Sequence, residues 1–102
     1  LKNAVDWVSR VRGRGEPTYA AFKERAFAVA SASPGRSGGL RALMALRQIL
    51  ELGCGALVIP EQVAIARAAD AFDDMDNLAD AELADLLRKQ LARLVDVARL
   101  IM

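Results

Sequence analysis

Ala26-Phe27-Ala28-Val29-Ala30 leads into Ser31-Ala32-Ser33-Pro34-Gly35-Arg36-Ser37-Gly38-Gly39, then the stretch from Leu40 to Leu52, then Ala56-Leu57-Val58-Ile59. Unbroken apolar runs this short suit strands covered on both faces, as in a parallel sheet. Between them Leu43, Leu46, Ile49 and Leu50 recur on one side of a helix from Leu40 to Leu52. Gly53 is placed to end that helix in a left-handed conformation. Pro60 is placed to stop the second strand, although Val63 and Ile65 alternate with Gln62 and Ala64 and allow a short edge extension. Strand, helix and strand at this spacing make a βαβ crossover, so the fold class is α/β.

The flanks extend the pattern. Leu1 to about Arg10 reads as a helix, with Leu1, Val5 and Val8 on one face and Ala4 and Trp7 beside it. Gly13, Gly15 and Pro17 make Arg12 to Thr18 a loop, and Tyr19 to Phe22 reads as a short helical turn. Asp70 to Asp80 is an acidic loop. Asp80 to Ile101 is the longest helix, with Leu83, Leu87, Leu91, Leu94, Ala98 and Ile101 along one stripe. Its early acids (Asp80, Glu82, Asp85) and late arginines (Arg93, Arg99) suit the helix dipole. Two parallel strands offer too little surface for three helices and leave two open edges. Further strands, or a partner chain, would complete such a sheet.

Composition narrows the chemistry. The 102 residues hold at most one small domain, and a hydrophobic content of 54% excludes disorder by composition. The formal net charge of +1 gives no overall field to draw nucleic acid or an anionic membrane. The seven acids between Asp70 and Asp85 meet no base, and they read as a solvated loop. Asp73, Asp74 and Asp76 lack the glycine and glutamate spacing of a calcium loop. With no histidine and one cysteine, Cys54, the chain has no intrachain disulfide, a poor ligand set for zinc and no histidine-activated nucleophile. Cys54, between two glycines, reads as a small packed residue in a reducing, cytoplasmic setting. Apolar runs such as Ala26 to Ala30 and Ala56 to Ile59 are far too short to cross a bilayer.

One loop could carry chemistry. Ser31 to Gly39 follows the carboxyl end of a strand and leads into a helix N-terminus, which is where open α/β sheets bind ligands. Its glycines permit close approach of a flat ring or a phosphate, and Ser31, Ser33 and Ser37 add hydroxyls. The same residues also suit a tight turn that caps a helix. Composition leaves both readings open.

The chain's first residues, Leu1-Lys2-Asn3-Ala4-Val5-Asp6-Trp7, resemble the helix that follows the Pro-Glu-Tyr-Asn flavin loop in NAD(P)H-dependent FMN reductases of the flavodoxin-like fold. Arg25 to Ile65 resembles that family's second half: strand, Ser-rich loop, Gly-Gly, a helix carrying Leu46-Arg47-Gln48-Ile49-Leu50, then a strand near Pro60. The resemblance covers the chain in order. It implies the C-terminal portion of a three-layer sandwich, with the phosphate loop and the Pro-Glu-Tyr-Asn loop in an N-terminal half. It further implies FMN as cofactor, NAD(P)H as hydride donor, flavins, quinones or similar acceptors, and ping-pong order. Carried over by position, Ser31, Ala32 and Ser33 lie at the flavin ring and Gly38 and Gly39 shape the loop. Family members often have serine where this chain has Ala32, which leaves mainly backbone contacts there. The Leu1 to Arg10 helix is implied as a homo-oligomer contact, with Lys2 and Asn3 near the site's mouth. Two other expectations are a non-catalytic α/β interaction module and an incomplete fragment without independent activity. A genuine start at residue 1 would favour the module, and an upstream Pro-Glu-Tyr-Asn the reductase.

Overall fold

The computed structural model describes residues 1–8, 10 and 21–101, with the side chain of Lys2 left aside. The loop expected from Arg12 to Thr18, and Tyr19 at the head of the expected turn, lie outside the described residues. Along the chain come α1 (Lys2–Val8), β1 (Ala26–Ala32), α2 (Leu40–Gln48), a π-helical turn (Ile49–Gly53), β2 (Leu57–Ile65), a short 3-10 turn (Ala68–Asp70) and α3 (Ala81–Leu100).

β1 and β2 pair in parallel and form a two-stranded sheet. The α/β class is therefore as read from the sequence. α2 packs on the face that carries Val29 and Val58. Val5, Phe22, Leu43, Leu50, Cys54 and Ala56 join them in one buried cluster. Leu43 and Leu50 are buried, and Leu46 and Ile49 pack against that cluster, so the helix presents the face its periodicity predicts. α3 lies over the other face. Arg47 joins helix to strand, since its guanidinium reaches Glu51 at 3.1 Å and donates to Gln62 Oε1 at 3.1 Å.

Pro60 does not stop the second strand. β2 runs through it to Ile65. The pairs Phe27 with Val58 and Val29 with Gln62 leave Ile59, Pro60 and Glu61 opposite Ala28 alone. A proline cannot donate to the ladder, and the strand absorbs it as a bulge. Gln90 of α3, only 2% exposed, fills the gap: its Nε2 donates to Val29 O at 2.8 Å and to Glu61 O at 3.1 Å. Gly53 likewise does not end α2 in a left-handed conformation. The helix widens into the π turn, Cys54 N–H reaches Ile49 O at 3.0 Å, and the chain reverses at Gly55, with φ 68.

Coverage of the sheet is uneven. Val29 is 2% exposed, whereas Ala30 and Ala32 on the same strand are exposed. On α3 the buried line passes through Gln90 and leaves Leu91 51% and Ile101 37% exposed, off the stripe read from the sequence. In and beside α1, Val5 is buried, while Leu1, Trp7 and Val8 stay in solvent.

Candidate functional site

The loop after β1 is tied to the segment after β2. Ser33 N–H donates to Ile65 O at 3.0 Å, Ala68 N–H to Ser33 O at 2.9 Å, and Arg67 N–H to Gly35 O at 3.0 Å. Within the loop the Ser31 hydroxyl donates to Gly38 O, and Gly35 N–H donates to Ser33 Oγ at 3.2 Å. Ser31 has therefore committed its proton to the loop, while Ser33 keeps its hydroxyl hydrogen available.

The two glycines have separate reasons. Gly38 (φ 62) is buried, and a Cβ there would stand 2.7 Å from the carbonyl carbon of Ile65. No side chain fits at that separation, so Gly38 lets the loop rest on the end of β2. Gly39 (φ 82) precedes α2, and its Cβ would meet Ser31 Oγ at 3.1 Å. Both positions are shaped by the protein's own backbone and by Ser31.

Strand geometry fixes what Ala32 offers. Arg25 O accepts from Leu57 N–H, and Ser33 N–H donates to Ile65 O, so the odd-numbered residues of β1 turn their backbone groups toward β2. The N–H and C=O of Ala26, Ala28, Ala30 and Ala32 point the other way, toward the strand's free edge. Ala32 lies at the carboxyl end of that edge and is exposed.

Two cavities flank the same edge. One of about 670 Å³ lies under α3, with Ser31, Ala32, Phe72, Asn77, Leu87 and Arg88 in its walls. The other, of about 320 Å³, lies under α2 and is lined by Leu1, Leu43, Leu46 and Ile49 together with Ala30 and Ser31. No local pattern marks Phe72, Asp76, Asn77 and Leu78 as sharing a cavity with Ser31. They do so because Phe72 and Leu78 form an antiparallel bridge, and Asp73 Oδ1 accepts from Met75 N–H at 2.9 Å and Asn77 N–H at 3.0 Å. The acidic stretch is thus a closed turn.

Cys54 stays out of this site. It is 4% exposed, and burial, followed by the negative charge of Asp6, raises its thiol pKa above the ordinary value. It packs as a small apolar residue. Asn3 is exposed. Among the described residues no helix is long and apolar enough to cross a membrane.

A parallel βαβ unit with a Ser/Gly loop at the carboxyl end of its first strand is the architecture of an α/β domain, here a partial flavodoxin-like fold. The chain belongs to the NADPH-dependent FMN reductase family, whose model matches residues 1–70. It is 40% identical over 95 residues to an NAD(P)H-dependent FMN reductase of Pseudomonas aeruginosa, an alignment covering 92% of this chain and 48% of that protein. The chain thus spans about half the length of the curated relative it matches. The family uses FMN and NAD(P)H.

Proposed function

We propose that this chain supplies one wall of the flavin site in an FMN-dependent NAD(P)H oxidoreductase that reduces flavins, quinones or similar acceptors in ping-pong order. FMN, when bound, would supply the redox chemistry between the nicotinamide and the acceptor. The chain's own residues bind and orient the ring. Ala32 offers an N–H and a C=O side by side, a donor set that suits the alternating donors and acceptors along one edge of an isoalloxazine. Ser33 offers a hydroxyl, and Ser31 braces the loop from within through Gly38. Gly38 and Gly39 let the loop fold back over β2 and α2. No residue of the loop serves as acid, base or nucleophile in this reading.

The observation that carries the reading is Ala32, an exposed residue at the strand's carboxyl end whose backbone groups turn away from β2, in a chain of this family. The same reading places a homo-oligomer contact on α1, supported by the exposure of Leu1 at 82% and Trp7 at 69%. It also places the protein in the cytoplasm, where a lone thiol such as Cys54 stays reduced.

Ala32→Pro tests it. Proline removes the edge-facing N–H of Ala32 and leaves the ladder to β2 intact, because Ala32 does not donate to β2. FMN is titrated by fluorescence quenching into the chain combined with the remaining portion of a family domain. A lost hydrogen bond of about 1–1.5 kcal/mol predicts roughly tenfold weaker binding with an unchanged circular dichroism spectrum. Undiminished affinity would remove Ala32 from the site.

A further inference from the structure

Two arginines stand side by side at the carboxyl end of the sheet, and neither takes part in the ring contacts above. Arg36 lies in the loop after β1 and Arg67 in the segment after β2. Arg67 N–H donates to Gly35 O at 3.0 Å, and Gly35 directly precedes Arg36, so a backbone hydrogen bond joins the two positions. Ala68 N–H donates to Ser33 O at 2.9 Å and holds the same contact from its other side. Both arginines are exposed, and neither forms an ion pair with a described residue.

Neighbouring charges do not neutralise them. The first turn of α2, just beyond the loop, holds no acid and carries Arg41, so the positive end of that helix adds to the field. Asp70 meets Arg67 through its backbone, its N–H donating to Arg67 O at 2.9 Å, and not through its carboxylate. Arg67 also stands against local preference. Its φ is 49, in the left-handed region where a side chain is strained and glycine is not. A glycine there would keep both backbone hydrogen bonds, so the turn itself does not call for an arginine.

Two guanidiniums are a donor set for phosphate. Each presents a rigid fork that grips two phosphate oxygens, and two adjacent positive charges favour a doubly charged group. The family's FMN and NAD(P)H carry such groups. The flavin phosphate belongs to the phosphate loop, which the resemblance assigns to the other half of the domain. The dinucleotide remains. A terminal monoester phosphate carries about −1.5 to −2 at neutral pH, and in NADPH the 2′-phosphate is the group of that kind.

We propose that Arg36 and Arg67 clamp the 2′-phosphate of NADPH and set a preference for NADPH over NADH. The proposal rests on the reading of the Ser31 to Gly39 loop as a wall of the flavin site, because the nicotinamide must reach the flavin there. Ala32 and Ser33 meet the ring, while Arg36 and Arg67, farther along the same loop and its neighbour, hold the far end of the dinucleotide.

Two fragments of the dinucleotide decide it. Adenosine 2′,5′-bisphosphate and AMP are titrated by calorimetry into the chain combined with the remaining portion of a family domain. The bisphosphate should bind about tenfold tighter than AMP, and the advantage should shrink as salt rises. Arg36→Gln and Arg67→Gly should each lower bisphosphate affinity about tenfold and leave AMP affinity unchanged. Arg67→Gly relieves the left-handed backbone and keeps its hydrogen bonds, so lost binding there is not lost fold. Arg67→Lys, which keeps the charge and loses the fork, should fall between. Equal affinity for the two fragments, equal loss of both in the variants, or full bisphosphate affinity in both variants would each overturn the proposal. So would weakened FMN binding in the arginine variants, which would assign the pair to the flavin's own phosphate. Ala32→Pro should weaken FMN binding and spare the bisphosphate, so failure of the clamp and failure of the ring contact are distinguishable.

Discussion

Gln90 holds the sheet together where it is irregular. Its side-chain amide serves Val29 O and Glu61 O, carbonyls that the bulge around Pro60 has separated. Gln90→Leu keeps the volume and removes both donors, leaving buried acceptors unsatisfied. We expect a loss of about 1–3 kcal/mol, measured by urea unfolding of the complete assembly. A variant as stable as the parent would mean that the bulge closes without it. Nothing in the sequence marked this residue. Apolar periodicity places Leu91 on the inward stripe, and a glutamine directly after Arg88 and Lys89 reads as surface. Its partners are two backbone carbonyls about 30 and 60 residues away, and no local pattern encodes them. Ser31 was legible as a site residue by its position at a strand end. Its hydroxyl turns inward to Gly38, which only the folded loop could show.

At the scale of elements, the starts of the helices were clearer than their ends. Asp80 caps α3, accepting from Glu82 N–H at 2.9 Å and from Leu83 N–H at 3.4 Å. The helix start read from the acids there is correct to one residue. Asp80→Ala should cost about 1 kcal/mol, lowering the urea midpoint with an unchanged slope. No change would mean that packing alone sets the start of the helix. The end of α2 was misread because a glycine signal marks only the capacity to reverse. Gly53, Gly55 and the intervening Cys54 all lie close enough to serve. The π turn, which places Leu50 and Cys54 in the core, gives the reversal to Gly55. β2 continues past Pro60 because its downstream half, with Val63 and Ile65 buried, stabilises more than one missing donor costs.

At the scale of the whole molecule, the chain is more open than its length requires. Its radius of gyration is 15.4 Å, against about 13 Å for a compact domain of this size. Leu1, Trp7, Leu91 and Leu100 all remain in solvent. On its own the chain should therefore self-associate, with a sedimentation mass above 11.0 kDa. It should also bind FMN only weakly, because one ring wall supplies little of the contact a flavin needs. A well-behaved monomer of 11.0 kDa would contradict the open-edge account.

The sequence by itself determined the α/β class, the crossover, the position of the Ser31 to Gly39 loop at a strand's carboxyl end, and the family. These follow from local pattern: apolar runs too short for helices, a helical period between them, and residue identities in a fixed order. Only the tertiary structure decided that Pro60 lies inside a strand, that Gln90 holds the bulge, and that Gly38 rests on Ile65. Each of these depends on which backbone groups face one another across the sheet. A hydrogen-bond donor or an approaching Cβ has no energy of its own until the fold supplies its neighbour.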